Sequence, residues 1–280
     1  MFVCEKLVFL ELHKTGGSHI RKLLAEVVGG GKEGKHNRLN PAYKDRFIVG
    51  SVRNPWDWYV SLWAFGCGGK GSVHLQCIDG PNVYYYRHNL RDEMGISGLG
   101  LANIYKQYRH DKNKDRDFWA YCYEDAEDPK RFQAWLARIL DPKYALDLRE
   151  GYGFSPLAQH TGLLGYRYLK LFTDLDGEIY RDAKLADPNN VEKAVAAHMH
   201  TDFIIRNEHM EEDFTACLQA AKIEVTEQQQ AIIQAGRDSK TNASKRREMA
   251  YYFNQESIDL IAEKEALLIS KHGYQPPVVA

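Results

Sequence analysis

The feature that most constrains this chain is a short apolar run at residues 7–12 (LVFLEL), which stops on the turn HKTGGS and gives way to helical spacing. Such a run is too short for a buried helix and suits a strand covered on both faces in a parallel sheet. After the turn, Ile20, Leu23, Leu24, Val27 and Val28 recur at helical intervals, so a helix is expected over residues 18–28. A second run, FIVGSV at residues 47–52, reads as another buried strand. Asn54 and Pro55 follow it with an N-cap and a favourable first helical residue. Strand, glycine turn, helix and strand in this order place the chain in the α/β class.

The remaining sequence extends this unit. At 280 residues, with 44% hydrophobic and 27% charged side chains, the chain can bury a sizeable core, and one elaborated domain over 1–280 is expected. The glycine-rich stretch at residues 29–35 reads as a flexible loop, and residues 66–128 as an insertion or lid without sustained periodicity. Helical patterns resume at residues 129–140, where Phe132, Trp135, Leu136, Ile139 and Leu140 share a face, and around residues 191–199. A late strand is expected at residues 202–206, then a helix to about residue 221 and two more over residues 227–236 and 255–272.

Lysine and arginine number 37 against 38 acidic residues, so no global field holds the chain on nucleic acid or an anionic membrane, and any anion site has to be local. The five cysteines form no CxxC pair and read as reduced thiols, with Cys67 and Cys77 the one ambiguous pair. No run approaches the roughly 18 apolar residues of a membrane span, and the expected location is cytoplasmic.

The loop His13-Lys14-Thr15-Gly16-Gly17-Ser18 lies where backbone N–H groups and a helix dipole converge on an anion. Glycine lets the backbone approach closely, Lys14 adds a mobile positive charge, and the hydroxyls of Thr15 and Ser18 can bond phosphoryl or sulfuryl oxygens. The lysine precedes the glycines, so this is not the nucleotide triphosphatase loop. A second anion site is suggested by Arg53 at the end of the second strand and Ser61 about two turns into the following helix. That strand ends in arginine, where a phosphoryl-transfer enzyme would often hold magnesium through an aspartate. The pair of sites therefore suits a donor with a 5′ anhydride and a separate phosphate, without a metal.

HKTGGSH together with VRNPWDWYVSLW resembles the 5′-phosphosulfate loop and 3′-phosphate motif of sulfotransferases that use 3′-phosphoadenosine 5′-phosphosulfate (PAPS), and is closest to their carbohydrate branch. Weaker similarities are DFIIRNEHMEEDF and the stretch from NASKRREMAYYF to HGY. The resemblance implies a three-layer P-loop-like fold, a central parallel sheet flanked by helices. It implies that Lys14, Thr15, Gly16, Gly17, Ser18 and His19 hold the phosphosulfate and that Arg53 and Ser61 hold the 3′-phosphate. Ser244 and Lys245 lie where such enzymes close a loop over the nucleotide. Golgi members carry a membrane anchor that is not read here, which leads to the expectation of a soluble enzyme.

Transfer to a hydroxyl needs a base, a positive charge near the donor's bridging oxygen, and in-line placement. Lys14 suits the second role. For the base, His36 in KHNRL competes with His13 beside the lysine and, more weakly, with Glu11. The expected acceptor is a small-molecule or glycan hydroxyl. Tyr84, Tyr85 and Tyr86, with Trp58, Trp63 and Trp119, crowd the middle of the chain, but three consecutive tyrosines cannot share one face, so no acceptor residue is assigned. Two alternatives remain at this level: an NTP-dependent small-molecule kinase of the P-loop type, and a noncatalytic nucleotide-binding protein.

Overall fold

The computed structural model describes residues 1–86, 99–236 and 246–279. The protein is mixed α/β, and its chain divides into two compact units. The first comprises Met1–Asn54, Arg167–Asp174 and the described part of Val195–Ala243. The second comprises Pro55–Tyr166, Leu175–Ala194 and the described part of Ser244–Ala280. The single domain read from the sequence is thus a chain that passes several times between two units.

The first unit contains a five-stranded sheet in the order β3-β1-β2-β4-β5. The strands are β1 (Phe2–Val3), β2 (Leu7–Phe9), β3 (Gly31–Lys32), β4 (Phe47–Val52) and β5 (Phe203–Arg206). β2, β4 and β5 run parallel, whereas β1 pairs antiparallel with both β2 and β3. The expected purely parallel sheet is therefore corrected to a mixed one, and part of the supposed flexible loop at residues 29–35 forms β3. β2 is also shorter than the apolar run: the Leu10 N–H still donates to the Val49 carbonyl at 2.8 Å, after which the chain leaves the ladder. Asp202 fastens the other side, its carboxylate accepting the Ile48 N–H at 2.7 Å.

Helix α1 (Gly17–Val27) buries Ile20, Leu23, Leu24 and Val27, the face its spacing demanded. These side chains join Phe9, Val49, Ile205, Phe214, Leu218 and Ile233 in one core, so the sheet and the helices Met210–Ala220 and Glu227–Gly236 share it.

The second unit is helical and aromatic. Helix α2 (Pro55–Cys67) starts on the expected proline, and Pro129–Leu140 buries all five side chains named for it. Trp63 packs edge-on against Phe132 and Tyr252. The buried indoles keep their N–H groups paired: Trp63 with the Cys122 carbonyl at 2.8 Å and Trp135 with the Tyr123 hydroxyl at 2.7 Å. Trp58, Trp63 and Trp119 are core, not an acceptor platform. The insertion that lacked periodicity contains helices Ser72–Ile78, Leu99–Asn113 and Arg116–Tyr123. The expected helix over residues 255–272 is broken at Glu265 into Gln255–Lys264 and Ala266–His272. All five cysteines are free thiols, Cys67 and Cys77 included.

Candidate functional site

Lys14, Thr15, Gly16, Gly17, Ser18, His19 and Arg53 follow the C-terminal ends of β2 and β4, within the first unit. Between β2 and α1 the loop turns through two left-handed residues, Lys14 (φ 61°) and Gly16 (φ 79°). Gly16 occupies the N-cap of α1, which has no side-chain cap and no acidic residue in its first turn. The Glu11 carboxylate, which Arg21 holds at 2.8 Å, lies beside this end of the helix, with Oε1 3.2 Å from where a Cβ of Gly17 would be. A Cβ on Gly16 would meet the Met210 methyl at 2.2 Å and the Asn207 amide oxygen at 2.7 Å. Gly16→Ala is expected to cost about 1–3 kcal/mol from backbone strain and overlap. A lowered urea midpoint with an unchanged m-value would show it, and an unaltered midpoint would contradict the packing.

Thr15 behaves differently from the expectation. It is fully buried, and its hydroxyl lies 2.9 Å from the Leu12 carbonyl, to which it donates, and 2.7 Å from the Ser51 hydroxyl. With both hydrogen-bonding directions spent inside the fold, Thr15 can serve a ligand only through its backbone. Ser51, one residue from the end of β4, was missed because its part depends on the pairing of two distant strands. Ser18 is half-buried in the first turn of α1. His19 turns sideways: its ring lies 3.3 Å from where a Cβ of Gly236 would be, and its Nε2 is 3.9 Å from a Glu211 carboxylate oxygen.

Arg53 follows β4, and its Nη1 donates to the Lys14 carbonyl at 3.2 Å. The two anion motifs are thereby joined in one place. The next backbone group, the Asn54 N–H, donates to the Glu208 carboxylate at 2.7 Å, which ties this corner to the turn after β5. Farther along, Arg206 grips Asp213 through its backbone N–H, Nε and Nη2 at 2.8, 2.9 and 2.8 Å. Burial pushes the Asp213 carboxyl up, but these bonds outweigh it and hold it below its usual range.

The two candidate bases come together. His13 and His36, 23 positions apart, stack with ring centroids 3.4 Å apart and planes inclined by 14°. His36 takes a left-handed backbone (φ 57°), and its Nδ1 lies 2.9 Å from the Glu11 carbonyl. A carbonyl only accepts, so Nδ1 carries the hydrogen and Nε2 is the basic nitrogen of the neutral ring. Glu11 itself is 1% exposed and bound to Arg21 at 2.8 Å, which makes it a structural carboxylate rather than a base.

Ser61 is buried in α2 and belongs to the second unit, so its assignment to a 3′-phosphate rests on the sequence resemblance alone. Ser244 and Lys245 lie outside the described residues. Arg246, which follows them, pairs with Asp57 in the first turn of α2 at 2.5 Å. No helix among the described residues is long and apolar enough to cross a membrane. No protein-family model, no curated protein and no solved structure matches the chain.

Proposed function

We propose that this protein is a PAPS-dependent sulfotransferase that moves the sulfuryl group to a hydroxyl acceptor, by its sequence resemblance a carbohydrate hydroxyl, on a three-layer P-loop-like fold. The observation that carries the reading is the Arg53 bond to the Lys14 carbonyl, which gathers both anion motifs at the tips of neighbouring parallel strands. The residues present fit such a donor: an uncapped helix N-terminus for the 5′ group, and a lysine and an arginine beside it.

Bound there, the donor supplies the sulfuryl group and a bisphosphate leaving group. The chain supplies the rest. Lys14 offers positive charge where negative charge grows on the leaving oxygen. His36 takes the acceptor proton at Nε2 while its Nδ1–H stays on the Glu11 carbonyl, which fixes the ring's direction. His13 supports it by stacking. Arg53 holds the loop through the Lys14 carbonyl and places its positive charge beside the phosphate.

Calorimetry without added metal tests the reading. Adenosine 3′,5′-bisphosphate should bind more tightly than ATP, and transfer of labelled sulfate from PAPS to mixed cellular glycans should follow. Preference for magnesium-ATP would make the protein a kinase, and bisphosphate binding without any sulfated product would make it a noncatalytic binder. Arg53→Ala should weaken bisphosphate binding by roughly 10- to 100-fold, the worth of a charge-assisted hydrogen bond. Unchanged affinity in a folded variant would remove the second anion site.

A further inference from the structure

The helix Leu99–Asn113 of the second unit is amphipathic the wrong way round for an element of a soluble core. Its inward face carries Gln107 and Asp111, both fully buried. Asp111 accepts from the Tyr86 hydroxyl at 2.7 Å and from Gln107 at 2.9 Å, and it pairs with Arg149 at 3.1 Å. The outward face instead carries Leu101, Tyr105 and Tyr108, which are 77%, 62% and 41% exposed. At 100° per residue, positions 101, 105, 108 and 112 fall within one narrow stripe, so these side chains stand in a row beside Lys112.

The patch continues beyond the helix. Tyr108 lies 6.2 Å, ring to ring, from the buried Tyr86, and the helical segment that carries Tyr86 presents Val83 and Tyr84 at 65% and 69% exposure. Charge on the helix is one-sided. Lys106, Arg109 and Lys112 are exposed, while its one carboxylate, Asp111, is turned inward and matched there. Aliphatic tips, tyrosines and long cationic side chains on one helix are the components of an interfacial element. The apolar groups enter the acyl boundary, the phenols sit at headgroup level, and lysine and arginine reach anionic phosphates. A sugar polymer would use the tyrosines and cations but has no use for Leu101 and Val83.

The geometry points to this face as a peripheral docking surface for an anionic lipid bilayer, with the helix lying in the interface rather than crossing it. The inference is independent of the donor chemistry. It is tested by sedimenting the full-length protein with vesicles of phosphatidylcholine and phosphatidylglycerol in equal parts, against vesicles of phosphatidylcholine alone. Binding to the mixed vesicles only is expected. Joint Arg109→Gln and Lys112→Gln replacement should weaken it by roughly 25-fold, since each cation near such a surface contributes about fivefold. Joint Leu101→Ser, Tyr105→Ser and Tyr108→Ser replacement should abolish the binding that survives high salt, where the charges are screened. Both variants should melt like the parent and bind adenosine 3′,5′-bisphosphate as it does. No sedimentation with mixed vesicles, equal sedimentation of parent and both variants, or binding to chondroitin sulfate or polyglutamate in place of vesicles would overturn the proposal.

Discussion

Lys14→Ala should lower sulfuryl transfer by about 10²–10³-fold, the usual loss when one preorganised charge is removed from a developing anion. The fold should survive, because the Lys14 group that joins β4 to the loop is its carbonyl, which alanine keeps. Its left-handed backbone is no better or worse for alanine than for lysine. Bisphosphate affinity should fall less than turnover, because the lysine acts on charge that appears during transfer. His36→Ala should separate the same quantities further. Bisphosphate binding is retained while transfer drops by about 10²–10⁴-fold. Radiolabelled transfer and calorimetry on the same preparations measure both. Lys14→Ala with parental turnover would end the proposed mechanism, while parental turnover in His36→Ala would pass the role of base to His13, its stacking partner.

The parts of this molecule legible in its sequence are those whose cause is local. β4 occupies the whole of FIVGSV, and Pro129–Leu140 begins on its proline and buries the five side chains its spacing selects. In both, a hydrophobic pattern of one period is enough. β1 and β3 were invisible because each has two residues and exists only through pairing with a distant partner. Helix Leu99–Asn113 was missed for a different reason: it buries glutamine and aspartate and exposes leucine and tyrosine, so a search for an apolar inward face fails on it.

The candidate site divides in the same way. Lys14, the glycines and Arg53 could be singled out because a glycine turn between strand and helix, and a charge at a strand tip, are local signals. The inward turn of the Thr15 hydroxyl was not, since Ser51 reaches it only after β2 and β4 have paired in register. Nor does anything local say that His13 and His36 stack, because the loop between α1 and β4 must first fold back on Glu11.

The second large effect expected concerns stability and pH, through Glu265. This carboxylate interrupts the C-terminal helices and is 1% exposed. It accepts from the Tyr59 hydroxyl at 2.5 Å and from the N–H groups of Leu164 and Gly165 at 3.2 and 2.8 Å. It thereby covers the first turn of the helix Leu163–Phe172, and a Cβ on Gly162 or Gly165 would strike it at 2.2 or 2.9 Å. Burial raises its proton affinity more than these donors lower it, and its pKa is pushed up from 4.5 to about 8. Between those values the folded chain holds a proton that the unfolded chain has released. Stability from this group is therefore complete below pH 4.5 and is lost as pH rises through 8, by up to about 5 kcal/mol at roughly 1.4 kcal/mol per unit. Glu265→Gln stays neutral throughout, so its unfolding free energy should be flatter with pH and should approach or exceed that of the parent at alkaline pH. Urea titrations at a series of pH values measure the two curves. Parallel curves would mean that Glu265 is ionised in the native state and that its three donors, not its burial, decide its charge.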